Sequence, residues 1–310
     1  MYISLNGTDW KLQGWLPYTY RFNSESGLDF KVPHFTEWIN AEVPGSVHND
    51  LIKAGMVEDP YYELNALKCE WVENKWWLYR KTFTLSNKYE GKIHKLVFKG
   101  VDYKSRFFLN GFKLGKHENM FTSAEFDITD VINYVDENVL EVICEGVPED
   151  YPQMGYTSRS RHQKSRFGYS WDFCTRLVNV GIWQDVGIHV YDYYIMDDIH
   201  IMTDVVKGKG LIKVSGSVDK FKNSKALIEF KLLKDNHIVM EEISNIALIG
   251  NNSIFSAKFI VENPALWYPN RMGKQELYTL EMKLYANNLL QDEKVYDVGI
   301  RRLEYVKNVG

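Results

Sequence analysis

Apolar and polar residues alternate with a period of two along most of this chain, a pattern typical of half-buried β-strands. The alternation is clear in five segments separated by turn residues, namely 96–101, 106–115, 126–128, 138–143 and 184–191. Within the second of these, Asn110-Gly111 predicts a tight two-residue hairpin turn. These features predict an all-β protein whose first part is a β-sandwich.

A second set of alternating segments begins after residue 195, where the density of aromatic residues falls. It comprises 211–218, 226–232, 253–261, 277–285 and 294–298, at the spacing of an immunoglobulin-like sandwich. A length of 310 residues also suits about two domains. We therefore predict one β-sandwich over residues 1–195 and an immunoglobulin-like β-sandwich over residues 196–310.

One good helix signal interrupts the strands. Ser46, which follows Pro44-Gly45, is a typical N-cap, and Gly55 is a typical stop signal. The sequence therefore predicts a short helix over residues 47–54.

The composition argues against several classes of function. A formal net charge of −4 gives no attraction to nucleic acid or to an anionic membrane, and no apolar run approaches the ~18 residues that span a bilayer. The three cysteines, Cys69, Cys144 and Cys174, are too scattered for a disulfide framework or a zinc site. The histidines show no metal-ligand spacing. We predict a cytoplasmic protein that needs no metal or other cofactor.

Aromatic residues make up 15% of the chain, and they surround a single carboxylate, that of Asp172, in the segment 167–176. Aromatic rings cover the apolar C–H face of a sugar, and a carboxylate accepts hydrogen bonds from its hydroxyls. Asp172 and its neighbour Trp171 are therefore candidate sugar-binding residues. Two structural alternatives stay open from the residues alone. Asp172 could pair with Arg176 or cap a turn, and Trp171 could belong to the core.

The segment 146–166 interrupts the strand pattern and ends in a basic run over residues 158–166. A loop of this length inside a domain is usually functional or mobile. Lys164, with Arg161 and Arg166, could brace the Asp172 segment, face a substrate or form a solvated basic loop. Phosphate or nucleic-acid binding has little support, because no other basic cluster accompanies this one.

The order of several short motifs resembles the N-terminal part of the β-mannosidases of glycoside hydrolase family 2. These motifs are Val43-Pro44-Gly45-Ser46-Val47-His48, Asp59-Pro60-Tyr61-Tyr62, Trp76-Trp77-Leu78-Tyr79-Arg80, Gly100-Val101-Asp102, Leu109-Asn110-Gly111, Tyr169-Ser170-Trp171-Asp172, Gly181-Ile182-Trp183, Pro264-Ala265-Leu266-Trp267-Tyr268-Pro269-Asn270 and Val298-Gly299-Ile300-Arg301. Leu-Asn-Gly and Leu-Trp-Tyr-Pro indicate only the wider family, whereas Trp171-Asp172 with the preceding Lys164 resembles the mannosidases more narrowly.

The resemblance implies a fold and a division of labour. The first domain would be a galactose-binding-like jelly roll, the second an immunoglobulin-like sandwich, and a catalytic (β/α)8 barrel would follow them. The barrel needs about 250 residues, and its acid/base glutamate lies in an Asn-Glu pair that does not occur in this sequence. We therefore expect the non-catalytic N-terminal part of a retaining exo-glycosidase, inactive alone, whose partners are a β-mannoside substrate and a C-terminal barrel of the same polypeptide.

The resemblance also implies roles for individual residues. Asp172 matches the position that binds hydroxyls of the terminal sugar, with Trp171 beside it and Lys164 as a further substrate-side candidate. The residues after Asp172 depart from the family pattern, because Phe173-Cys174-Thr175 stands where the family has Trp-Gly-Pro. Trp76, Trp77 and Arg80 are expected to supply packing and an ion pair within the first domain.

Three alternatives remain from the sequence. The chain could belong to another family 2 glycosidase of the β-galactosidase, β-glucuronidase or exo-glucosaminidase type. It could instead be a stand-alone carbohydrate-binding module, which would bind sugar without a barrel. It could also be an interaction protein, for which an exposed apolar patch is expected.

Overall fold

The computed structural model describes residues 1–19, 34–148, 161–192, 194–220, 225–247 and 252–307. Contacts divide the chain into two units, Met1–Val190 and Tyr191–Gly310. The division falls a few residues before the predicted boundary after residue 195. Both units are built of strands, so the all-β prediction is confirmed. The predicted long loop over 146–166 falls largely on residues 149–160, which lie outside the described residues.

The described residues of unit 1 form two antiparallel sheets and two short strand pairs. The sheet orders are β3-β2-β4-β10-β7-β8 and β1-β14-β5-β9, and the pairs are β11-β12 and β13-β6. The strands are β1 (Tyr2–Ser4), β2 (Gly7–Trp15), β3 (Ile39–Val43), β4 (Trp76–Phe83), β5 (Ile93–Phe98), β6 (Val101–Asp102), β7 (Lys104–Leu109), β8 (Phe112–Glu118), β9 (Ala124–Asp127), β10 (Asn138–Cys144), β11 (Tyr169–Trp171), β12 (Cys174–Arg176), β13 (Gly181–Ile182) and β14 (Val186–Tyr191).

The core of unit 1 lies between its two sheets. Alternate residues of β5 and β7 meet there, and the rings of Phe98 and Phe107 lie 4.8 Å apart between centroids. Trp77 is fully buried in the same core, while Arg80 pairs with Glu141 at 2.6 Å, so the expected packing and ion pair are confirmed. The predicted hairpin joins β7 to β8, and Asn110 and Gly111 have the positive φ angles of 52° and 80° that this turn requires.

The described part of unit 1 also includes a short α-helix and two 3₁₀ helices. Helix α1 (Val47–Lys53) begins at the N-cap Ser46, whose hydroxyl accepts from the Asn49 N–H, so the predicted helix is confirmed. The 3₁₀ helices span Asn65–Asn74 and Asn87–Tyr89. The sequence did not predict the first, because its apolar residues do not segregate to one face.

Helix α1 buries two titratable side chains in unit 1. Burial lowers the pKa of His48 to about 4 and raises the pKa of Asp50 to about 7. The Asp50 carboxylate accepts one hydrogen bond, from the Glu42 N–H at 3.1 Å. Within the described residues, Asp50 Oδ2, His48 Nδ1 and the Tyr79 hydroxyl have no hydrogen-bond partner.

Unit 2 is a sandwich of a three-stranded sheet, β15-β16-β19, and a four-stranded sheet, β18-β17-β20-β21. Its core includes Ile212 and Phe259 from the first sheet and Phe230 and Met282 from the second. The sequence did not predict β18, an edge strand that is exposed on most of its length and therefore alternates weakly. The strands are β15 (Tyr194–Val206), β16 (Lys209–Lys220), β17 (Lys225–Lys234), β18 (His237–Ala247), β19 (Asn252–Val261), β20 (Tyr278–Ala286) and β21 (Leu289–Val298).

Within the ranges that the structure describes, no helix has the length and apolar character needed to cross a membrane.

Candidate functional site

The segment that carries Asp172 forms a hairpin on unit 1. In its two strands, β11 and β12, Tyr169 lies opposite Arg176 and Trp171 lies opposite Cys174. Asp172 and Phe173 are therefore the two residues of the turn. The hairpin is a separate two-stranded sheet and hydrogen-bonds to no neighbouring strand in the described part of the chain. Since such a hairpin is at best marginally stable alone, side-chain contacts must attach it to the sandwich.

The tip of the hairpin presents one carboxylate and two aromatic rings. Asp172 is exposed, Phe173 is 69% exposed and Trp171 is half-buried, with the two rings 6.3 Å apart between centroids. No hydrogen bond or ion pair to Asp172 occurs among the described residues. An ionised carboxylate in this position can accept from two hydroxyl donors, while the rings offer an apolar surface beside it.

The pairing of Asp172 with Arg176, which the sequence left open, is not the arrangement that the structure contains. Arg176 instead turns to Glu73, whose Oε1 accepts from Nη2 at 2.5 Å and from Nε at 3.2 Å. Glu73 lies near the end of the 3₁₀ helix Asn65–Asn74. Sequence reasoning did not identify Glu73, because no sequence pattern links two residues that are 103 positions apart. The motif that begins at Trp76 lies close to Glu73 in the sequence, but it gives no indication of the contact with Arg176.

Tyr169 fixes the other strand of the hairpin. Its ring is fully buried, and its hydroxyl donates to the Pro148 carbonyl at 2.8 Å. Further along the chain, the indole N–H of Trp183 donates to the Met120 carbonyl at 3.1 Å. A side chain at Gly100 would meet that indole at 2.7 Å, so Trp183 packs closely against the backbone of unit 1.

Lys164 lies inside unit 1. Its ammonium group donates to Asp102 Oδ1 at 2.5 Å and to the Asn179 carbonyl at 2.7 Å. Burial lowers the pKa of Lys164 and raises the pKa of Asp102, while the ion pair opposes both shifts. The predicted alternative of a solvated side chain is therefore wrong for Lys164. The bracing role is supported by this placement, whereas direct contact with a substrate has no support from it.

A polar cleft adjoins the base of the hairpin. It has a volume of about 420 Å³, and Glu73 and Arg176 form part of its wall. Glu145 in the same wall is paired with Arg106, a residue of β7. The charged groups at this base therefore interact with one another, in contrast to Asp172 at the tip.

The chain thus consists of two β-sandwich units, the first of which carries an exposed carboxylate beside two aromatic rings. Residues 20–184 match the family described as "Glycosyl hydrolase 2 galactose-binding domain-like", and residues 193–301 match "Glycosyl hydrolases family 2". The chain belongs to glycosyl hydrolase family 2. It corresponds to the N-terminal, non-catalytic part of the enzymes of this family.

Several curated proteins are similar to the chain. It is 28% identical over 291 residues to the "Beta-mannosidase B" of Emericella nidulans, which is 87% of this chain and 34% of that protein. It is 27% identical over 294 residues to the "Beta-mannosidase" of Rattus norvegicus, which is 86% of this chain and 33% of that protein. The chain thus spans about a third of the length of these relatives.

Solved structures share the fold. The β-D-mannosidase of Dictyoglomus thermophilum superposes with a TM-score of 0.79 at 27% identity, covering 98% of this chain and 36% of that one. A putative β-galactosidase of Bacteroides fragilis superposes with a TM-score of 0.72 at 20% identity, covering 99% of this chain and 42% of that one. At this lower identity, the second likeness shows the fold alone.

Proposed function

We propose that the chain is the sugar-binding part of a β-mannosidase-like retaining exo-glycosidase that hydrolyses terminal β-linked mannose. The observation that carries the proposal is the exposed carboxylate of Asp172 at the hairpin tip, which has no partner among the described residues. The similarity to named β-mannosidases over most of the chain supports the choice of sugar.

In this proposal, Asp172 accepts hydrogen bonds from hydroxyls of the terminal sugar, and Trp171 offers a wall for its apolar face. A charged acceptor that takes two hydroxyl donors closes one end of a binding pocket, which suits an exo-acting enzyme. Those of its contacts that are stronger in the transition state than in the bound substrate raise kcat, and the rest lower KM. Phe173 adds a second ring at the same tip, at the position where the chain departs from the family pattern.

The catalytic step belongs to another part of the enzyme in this proposal. A retaining glycosidase needs an acid/base and a nucleophile, two carboxylates about 5–5.5 Å apart. We place both in the catalytic part that the longer relatives carry and not within these 310 residues. We call this chain joined to that catalytic part the complete enzyme. The isolated chain should not hydrolyse an aryl β-mannoside.

The test compares the complete enzyme with its Asp172→Ala variant on four aryl β-glycosides, those of mannose, galactose, glucuronic acid and glucosamine. The proposal predicts that the mannoside is the preferred substrate and that the variant loses most of this activity. Preference for another of the four sugars would assign the chain to a different glycosidase of the same family. Full activity of the variant would remove Asp172 from the sugar site.

A stand-alone carbohydrate-binding module is the second candidate, because the Asp172 carboxylate and the Phe173 ring of the tip are exposed in this chain itself. It predicts that the 310-residue chain binds mannose or a mannoside in a calorimetric titration. A pocket completed by a catalytic part predicts weak or no binding by the chain alone.

We also propose a reducing compartment, the cytoplasm, for this protein. The support is that Cys69, Cys144 and Cys174 are all free thiols. Fractionation of the source cells with an antibody against the chain tests this proposal.

A further inference from the structure

The base of the hairpin is held by a cluster of contacts around Arg176. Its guanidinium donates twice to Glu73 Oε1, and Nη1 donates to the Tyr169 carbonyl at 3.4 Å. The same guanidinium lies 5.4 Å from the centre of the Tyr169 ring. The Glu73 side chain is 10% exposed and that of Arg176 is 30% exposed. This is a half-buried, two-donor ion pair, so its geometry is more strongly fixed than that of a surface pair.

The position of the tip depends on this base. The strands β11 and β12 pair only with each other in the described part of the chain, so no sheet ladder fixes the direction of the hairpin. Asp172 follows Tyr169 by three residues, a distance of at most about 10 Å. A small rotation at the base is therefore amplified at the tip. Tyr169 anchors one strand by burial, and Glu73 anchors the other through Arg176.

We infer that Glu73 is a positioning residue for the sugar-binding carboxylate: it holds Arg176, and Arg176 fixes the direction in which the hairpin presents Asp172. Glu73 does not itself contact sugar in this arrangement. The inference rests on the proposed function, since it assigns Glu73 a part in the sugar site of Asp172. It also makes a mechanical claim, namely that Glu73 controls the direction of the hairpin through Arg176. This claim can be tested without any substrate.

The mechanical test uses the 310-residue chain labelled with 5-fluorotryptophan and observed by ¹⁹F NMR. Trp171 lies next to Asp172 and reports on the tip; its resonance is assigned with Trp171→Phe. Glu73→Gln should shift or broaden this resonance. The matched control is Glu141→Gln, which weakens the Arg80–Glu141 pair, another two-donor ion pair of unit 1. The control should leave the Trp171 resonance in place.

Two further measurements distinguish a local change at the hairpin tip from unfolding of the chain. The melting temperature of each variant is measured, and Glu73→Asp, which keeps the charge, should restore much of the wild-type Trp171 signal. An unchanged Trp171 resonance in folded Glu73→Gln overturns the inference. A similar change in Glu141→Gln also overturns it, because the effect would then be a general one of lost ion pairs. If Glu73→Gln does not fold, Arg176→Lys takes its place, because it keeps the charge but loses the two-donor contact with Glu73. An unchanged Trp171 resonance in folded Arg176→Lys then overturns the inference.

The functional test is a double-mutant cycle in the complete enzyme. Glu73→Gln should lower kcat/KM on the aryl mannoside by about 10- to 100-fold, the size of effect expected from misplacing a substrate-binding group by about 1 Å. In an Asp172→Ala background the same substitution should change kcat/KM by less than about twofold, because the two residues act as one unit. Independent, additive losses overturn the positioning role. If Asp172→Ala is itself harmless, the proposed function fails, and the NMR result still decides the mechanical claim.

Discussion

The ammonium group of Lys164 lies 2.5 Å from Asp102 Oδ1, and less than 5% of either side chain is exposed. The pair joins three segments of unit 1, because Lys164 also bonds to the Asn179 carbonyl and Asp102 lies on β6, which pairs with β13. Two of these segments, those of Lys164 and Asn179, lie on either side of the hairpin that carries Asp172 along the chain. A buried charge pair therefore braces the surroundings of the candidate sugar site.

Breaking this pair from one side should be costly. Lys164→Met leaves the Asp102 carboxylate buried without a counterion, which we expect to lower the free energy of unfolding by about 3–5 kcal/mol. The measurement is urea denaturation of the chain. Lys99→Met, which breaks the exposed Lys99–Asp185 pair, is the control and should cost less than about 1 kcal/mol. An equal, small cost for both variants would contradict a bracing role for Lys164.

Asp172→Ala should separate activity from stability. Each hydrogen bond to a charged group contributes about 1.5–3 kcal/mol, so the loss of two sugar contacts should lower kcat/KM of the complete enzyme by about 100-fold or more. The melting temperature should stay nearly constant, because Asp172 is exposed and has no partner among the described residues. Asp136→Ala, at another exposed position, is the control for both measurements. A large fall in melting temperature would favour a structural role for Asp172.

The sequence was most informative where structure is decided locally. Asn110-Gly111 predicted its hairpin because a turn with positive φ at two residues needs these residue types, and Ser46 predicted the start of α1 by its capping oxygen. The contacts that matter at the candidate site are long-range. Lys164 reaches across 62 positions to Asp102, and Arg176 across 103 positions to Glu73. Only folding brings such pairs together, so no periodicity or spacing could indicate them.

Helix α1 provides a pH-dependent prediction through Asp50. Burial raises its pKa from the ordinary 3.8 to about 7, so the folded state favours the protonated acid. The unfolded chain loses its proton near pH 3.8, and stability therefore falls as the pH rises from that value to about 7, above which the full penalty remains. Asp50→Asn mimics the neutral acid and keeps an acceptor for the Glu42 N–H. It should raise the melting temperature at alkaline pH and have little effect at acidic pH, as scanning fluorimetry across this range would measure.

His48 on the same helix should have the opposite effect. Burial lowers its pKa from 6.5 to about 4, so the folded state holds a neutral ring while the unfolded chain binds a proton below pH 6.5. Its contribution to stability is therefore lost as the pH falls from 6.5 towards 4. Over most of this interval Asp50 changes stability in the other direction. The pH-dependent contributions of His48 and Asp50 to stability therefore partly cancel in the wild-type chain.

The cancellation makes the single variants informative. In Asp50→Asn only the pH-dependent contribution of His48 remains, so the stability of this variant should fall more steeply than that of the wild type as the pH is lowered from 6.5. In His48→Gln only the pH-dependent contribution of Asp50 remains, so the stability of this variant should fall more steeply than that of the wild type as the pH is raised towards 7. In the double variant both contributions are removed, so the slope of its stability against pH should return close to that of the wild type. Urea midpoints at several pH values measure the slopes. Parallel slopes for all four proteins would mean that neither group titrates abnormally in the folded state.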